Sequence, residues 1–236
     1  MTQAKERPIL FSAPMVRAIL SGQKTVTRRV VKPQYCEGPW SVKPALESRH
    51  SGHSHDWWLP TGSQPYAALP KCPYGKASDR LWVRETWSDV NLQGAPGIAY
   101  RADADVRDLM EDASFLDEDG AFNYDDPRSK PYQFACWSED LLGGKEGRWR
   151  PSIHIPRWAS RILLEITDVR VERLQDICEE QALAEGVMNC KQDIDPDGND
   201  YSPQELFAGL WTMINGDGSW RSNPWVWVVE FKRVTP

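Results

Sequence analysis

Two stretches near the C-terminal end constrain the fold most. RILLEITDVRVERL, residues 161–174, puts Ile162, Leu164, Ile166, Val169 and Val171 mostly on alternate positions. That spacing predicts a long strand or a bent pair of strands. PWVWVVEFKRV, residues 224–234, is β-branched and aromatic and predicts a closing strand. Between them, CEEQALAEGV is a short helix with Gly186 past its end. SPQELFAGLWTMING carries Ser202 as cap, Pro203 at the first position and Glu205 to complete a capping box, with Leu206, Phe207, Leu210, Trp211, Met213 and Ile214 as its buried face. Strands alternating with short capped helices describe a mixed α+β chain.

The N-terminal part repeats the theme. PIL and Phe11 predict a short strand, and Ser12 caps a helix with Pro14 in its first turn and Met15, Val16, Ile19 and Leu20 on one stripe. Gly22 ends the helix, and KTVTRRVV follows as a strand. DRLWVRETWSDV is strand-like, with GIAYRAD as its antiparallel partner. Residues 34–76 and 103–147 lack periodicity and read as two long loop insertions, the second acidic and carrying short helices. A chain of 236 residues is then one domain, 1–236, with two insertions.

Charge and cysteine usage narrow the partners. The net charge of −6 argues against coating long duplex DNA, which needs a broad basic face, but permits a small basic pocket on an acidic body. The apolar runs are too short to cross a bilayer, and the N-terminus lacks the basic-then-apolar pattern of a secretory leader. Five scattered cysteines form no disulfide framework, so a reducing, cytoplasmic setting is expected.

GQKTVTRR, residues 22–29, resembles the Gly-x-Lys-Thr-x-Thr-x-Arg signature of the ASCH domain family, a branch of the PUA-like β-barrel superfamily. YGKASDRLWVRETW is similar to the turn and strand in which that family places a Gly-Asp pair, with Ser78-Asp79 here instead. LQDICEEQALAEGV resembles the segment ending in a glutamate, and NPWVWVVEFKRV the closing strand. The longer, tryptophan-rich ASCH proteins of phages and prophages are the most similar. The resemblance implies a PUA-like mixed β-barrel with short flanking helices and a cleft for a nucleobase-derived ligand or RNA, in the cytoplasm of a bacterium or an infected bacterial cell.

Some small ASCH proteins deacetylate N4-acetylcytidine with a lysine, a threonine and a glutamate; by resemblance these are Lys24, Thr27 and Glu185. A lysine acts as base only if burial or nearby positive charge, here Arg28 and Arg29, lowers its pKa. Thr27 is then nucleophile or water-positioner, and Glu185 a proton shuttle. In an ideal strand Lys24 and Arg28 share a face that Thr27 does not, so Lys24 and Thr27 converge only if the chain still turns after Gly22. The remaining candidates for ligand contact are Phe11, Trp82 and Trp225 as aromatic walls, with Arg17, Glu85, His154 and Arg157 around them.

Other motifs weigh less. His50, His53, His55, Cys72 and Cys36 match no zinc-finger spacing. DIDPDGND puts Asp193, Asp195, Asp197 and Gly198 at calcium-loop positions, but Gln204 replaces the bidentate glutamate, so an Asp/Gly turn is expected. WRPSIHIPRWASR reads as barrel wall through Trp149, Ile153, Ile155 and Trp158, with His154, Arg157, Arg150 and Arg161 available to a phosphate. No metal or cofactor is expected. Three functions stay open: a module binding a nucleobase-derived ligand or RNA in a basic cleft, an amidohydrolase acting on N4-acylated cytidine, and a structural or accessory phage protein.

Overall fold

In the computed structural model, residues 4–34, 40–50, 52–128 and 135–235 are described. Strands β1 (Glu6–Leu10) and β2 (Val26–Val30) flank helix α1 (Ala13–Leu20); β3 (Ser41–Pro44), β4 (His55–Trp58) and β5 (Ala67–Ala68) follow. Next come β6 (Arg80–Arg84), β7 (Trp87–Leu92), β8 (Ala95–Tyr100), β9 (Val106–Asp108) and α2 (Ser138–Leu142). The chain ends with β10 (Leu163–Arg173), α3 (Glu179–Ala184), α4 (Lys191–Ile194), α5 (Pro203–Asn215) and β11 (Trp225–Val234). The architecture is α+β: strands in three sheets with short helices. Among the described residues no helix is long and apolar enough to cross a membrane.

The main sheet has the order β1-β6-β10-β11-β2. A closed barrel needs a hydrogen-bonded seam between the end strands; β1 and β2 are those ends and do not pair, so the expected closed barrel is an open sheet. Along β10 and β11 the antiparallel register slips between Ile166 and Asp168, leaving Thr167 unmatched. This bulge returns Val169 and Val171 to the face of Ile166, opposite Val229, Trp227 and Phe231. One bulged strand thus resolves the choice between a long strand and a bent pair. β11 lies between β10 and β2, and Val226, Trp227, Val228 and Val229 are all buried, so both of its faces are covered, as an unbroken apolar run requires.

The chain divides into two compact units, one of Met1–Arg7, Ala18–Leu81 and Ile162–Pro236, the other of Pro8–Arg17 and Trp82–Arg161. In the first, α5 has the expected capping box, Ser202 accepting from Glu205 N and Glu205 from Ser202 N. Leu206, Phe207, Leu210 and Trp211 are buried, whereas Met213 and Ile214 are exposed. The segments packed on α5, which are α3, the 3-10 turn Val187–Cys190 and α4, leave Met213 and Ile214 in its last turn uncovered. The stretch 34–76 is more than loop: it carries the three-stranded sheet β3-β4-β5. Strands of two to four residues are too short to show a period, and the sheet is held instead by Trp57, fully buried edge-on against Trp225 with ring centroids 6.2 Å apart.

In the second unit β7 and β8 form a hairpin closed by Gln93 (φ 51°) and Gly94 (φ 102°), the positive pair that a tight two-residue turn requires. The acidic stretch 103–147 holds β9, a 3-10 turn at Ala113–Phe115 and α2. Residues 152–159 are two 3-10 turns, Ser152–His154 and Arg157–Ala159, rather than barrel wall. Pro151 and Pro156 precede them and cannot donate to a ladder, and Ile153 is exposed while Ile155 is buried.

Candidate functional site

The N–H groups of Gln23 and Lys24 both bond to Ala18 O, so the chain is still wrapping the end of α1 at Lys24. That turn sends the lysine inward. Its ammonium donates to Val26 O at 2.8 Å, Glu185 O at 2.8 Å and Glu185 Oε2 at 2.7 Å. Three N–H bonds meet three acceptors, and the side chain has no solvent exposure. Burial pushes the Lys24 pKa below its ordinary value; the Glu185 carboxylate opposes this and Arg29 adds to it.

Glu185 is the C-cap of α3, a position where a carboxylate opposes the helix dipole. Lys24 reverses that penalty by binding both the carboxylate and the cap carbonyl, while Thr25 N bonds to Ala184 O. Gly186 makes the approach possible: its φ is 77°, and a Cβ there would lie 2.7 Å from Ala18 Cβ and 3.1 Å from Lys24 Cβ. Arg28, also buried, donates to Glu185 Oε1 at 3.2 Å, Glu172 Oε2 at 3.2 Å and Gln181 Oε1 at 2.7 Å, with Phe207 under its guanidinium. Glu172 and Gln181 carry no mark in the sequence, since β2 meets them only through tertiary packing.

Thr27 is buried but takes no place in this network. Strand alternation turns it away from Arg28, opposite Val229 on β11. Arg29 shares that second face; its cross-strand partner is Trp227 and its guanidinium lies 6.0 Å from the Tyr74 ring centre. Trp225 is half-buried beneath the Arg173 guanidinium at 4.5 Å.

Trp227 lines a cleft of about 670 Å³ within the same unit. Four cations, Lys5, Arg7, Lys71 and Lys76, line it with Asp79 and Asp168. Asp79 accepts from Lys5 N at 3.1 Å, Arg7 Nη1 at 2.8 Å and Lys76 N at 3.3 Å. Burial raises its pKa, but the amides and the Arg7 guanidinium outweigh that and hold the carboxyl below its usual range. Gly75, at φ 122°, leaves room for the pair, because a Cβ would lie 2.7 Å from both Arg7 Nη1 and Asp79 Oδ2. Ser78 takes φ 73°, a left-handed conformation that favours glycine. Arg7, Ser78 and Asp79 were not singled out as site residues; the Gly-Lys-Ala-Ser-Asp turn was the available signal.

The other expected contacts lie in the second unit. Phe11 and Trp82 are buried, Arg17 donates to Ala102 O at 2.8 Å, His154 is exposed and Arg157 half-buried. Glu85 is buried and bidentate with Arg161, at 3.0 and 2.8 Å. Burial raises the Glu85 pKa against the pull of Arg161. Arg161 also binds Asp103 and Asp105, and Arg150 pairs with Asp89, so carboxylates take up two of the three arginines that the sequence offered to a phosphate.

Among the described residues no group of three or more His, Cys, Asp or Glu side chains is arranged for a metal ion. His53 accepts from Arg49 N at 2.9 Å through Nδ1, which leaves Nε2 to donate to Asp56 Oδ1 at 2.9 Å. Burial raises the Cys72 thiol pKa, and Cys36 lies outside the described residues. Asp193 belongs to α4, and Asp195 accepts from Asn199 at 2.8 Å in the turn that follows. No protein-family model, curated protein or solved structure matches this chain.

Proposed function

We propose that this chain is a PUA-like, ASCH-type module that binds a nucleobase-derived ligand or RNA, with the cleft at Lys5, Lys71 and Lys76 receiving phosphate. The observation that carries this reading is the cleft itself: exposed ammonium groups around an opening of about 670 Å³ on a protein of net charge −6. Phosphate recognition needs such cations where solvent and ligand reach them. The α+β architecture and the sequence signature support the family assignment, and the thiols of Cys72, Cys136 and Cys178, which form no disulfide, support a reducing compartment. Titration with cytidine monophosphate, followed by tryptophan fluorescence, tests the reading. Binding that weakens at least tenfold in Lys71→Glu/Lys76→Glu supports it; no binding, or binding indifferent to that double substitution, overturns it.

A second reading, hydrolysis of an N4-acylated cytidine, draws on the Lys24–Glu185 contact. Against it stand the three satisfied lysine N–H bonds and the absence of exposure at Lys24. Release of acetate from N4-acetylcytidine by the purified protein, abolished in Lys24→Ala, would restore it.

A further inference from the structure

The β3-β4-β5 sheet presents aromatic rings and cations where a stretch of loop was expected. In the antiparallel registers Ser41 faces Trp58 and Trp57 faces Ala67. Continuing the second pairing by one residue sets Tyr66 beside Trp58, and Tyr66 N bonds to Trp57 O at 2.8 Å. Trp57, on the opposite face, is fully buried and anchors the sheet. Tyr66 is 58% exposed, and its ring is braced edge-on by Trp40 with centroids 4.9 Å apart. Lys43, exposed, holds its ammonium 4.7 Å from the centre of the half-buried Trp58 ring. One face therefore carries a braced tyrosine, a tryptophan and a lysine in a row.

Charge identifies the occupant. Residues 40–76 contain Lys43, Arg49, Lys71 and Lys76 against Glu47 and Asp56, within a chain of net charge −6. Of the two acids Asp56 is buried and hydrogen-bonded to His53. Chain continuity joins the row to the cleft, because Gly52, His53 and Ser54 line the cleft and β4 begins at the next residue. Rings for base faces, cations for phosphates and a basic segment on an acidic protein are what an unstacked nucleic-acid strand requires. A proline-rich peptide would use the rings but not the cations.

We propose that the β3-β4-β5 sheet is a stacking platform for single-stranded RNA, in which successive bases lie on Tyr66 and Trp58 while Lys43 meets the backbone and the cleft receives an adjoining phosphate. This rests on the nucleotide-binding reading of the cleft, and the test separates the two. Oligouridylate of about ten nucleotides and cytidine monophosphate are titrated separately into wild type, Tyr66→Ala, Tyr66→Phe and Lys43→Ala, with folding checked by near-ultraviolet circular dichroism. The platform predicts that Tyr66→Ala and Lys43→Ala each weaken the oligomer at least fivefold, that Tyr66→Phe restores it, and that the mononucleotide is unaffected. Oligomer binding indifferent to Tyr66→Ala and Lys43→Ala, with the mononucleotide still bound, overturns the platform and leaves the cleft. Failure of both ligands overturns both readings. Capture of a polyproline peptide in place of the oligomer overturns the RNA assignment.

Discussion

Lys24 Nζ lies 2.7 Å from Glu185 Oε2 across 161 residues of sequence, and both side chains are buried. The pair closes the end of α3 against the turn that follows α1. Removing one member of a buried ion pair leaves the other without its partner, at a cost of about 3–5 kcal/mol. Lys24→Met is expected to reach this range in urea unfolding. Glu185→Gln, which strips a carboxylate from both Lys24 and Arg28, is expected to match or exceed it. A double-mutant cycle with coupling near zero would contradict the geometry.

Ser78 takes a left-handed conformation that favours glycine. Ser78→Gly is expected to stabilise the protein by about 0.5–1 kcal/mol, a rise in Tm of about 1–4 °C. Ser78→Val, β-branched at a positive φ, is expected to lower Tm. Thermal melts of the two variants decide the sign, and the opposite order would show that the serine hydroxyl matters more than the backbone.

Asp79 has its pKa held below the ordinary carboxylate value by Lys5 N, Arg7 and Lys76 N acting against its burial. The folded state therefore binds the Asp79 proton more weakly than the unfolded chain. The resulting stability is present above about pH 3.9 and is lost as pH falls through the folded value. Urea midpoints of wild type and Asp79→Asn should converge on acidification below about pH 4. A gap that stays constant with pH would remove Asp79 from the acid response.

Tyr100 behaves in the opposite sense. Its hydroxyl donates to Ala159 O at 2.7 Å, and burial pushes its pKa up to about 12. The unfolded phenol titrates near 10, so the fold favours the neutral form. That stability is complete below about pH 10 and disappears between there and about 12. The phenolate absorbance difference between wild type and Tyr100→Phe should emerge only near the upper value. A difference centred near 10 would show that the ring is accessible.

Much of the framework was legible in the residues. The capping box of α5, the glycine stops after α1 and α3, and the two long strands follow from local chemistry that acts within a few residues. The bulge at Thr167 left its trace in the apolar spacing, because an inserted residue must shift the alternation. The β3-β4-β5 sheet left none: its strands span only one or two periods, and it is held by the packing of Trp57 on Trp225, far apart in the chain. Met213 and Ile214 lie on the apolar stripe of α5 and yet are exposed, because a stripe records amphipathicity and not which neighbours cover it.

The same division runs through the site. By itself the sequence determined that Lys24 follows a helix-ending glycine in a basic segment and that Glu185 caps a short helix, since both depend on nearest neighbours. Only the tertiary structure decided where they point. Lys24 turns inward because its amide still bonds to Ala18, whereas Thr27 and Arg28, already in a regular strand, alternate to opposite faces. The cleft joins residues 4–7, 52–54, 71–79 and 168–169 with Trp227, stretches that share no local pattern. Long-range sheet pairing brings them together, and no short-range rule records which strands will be neighbours.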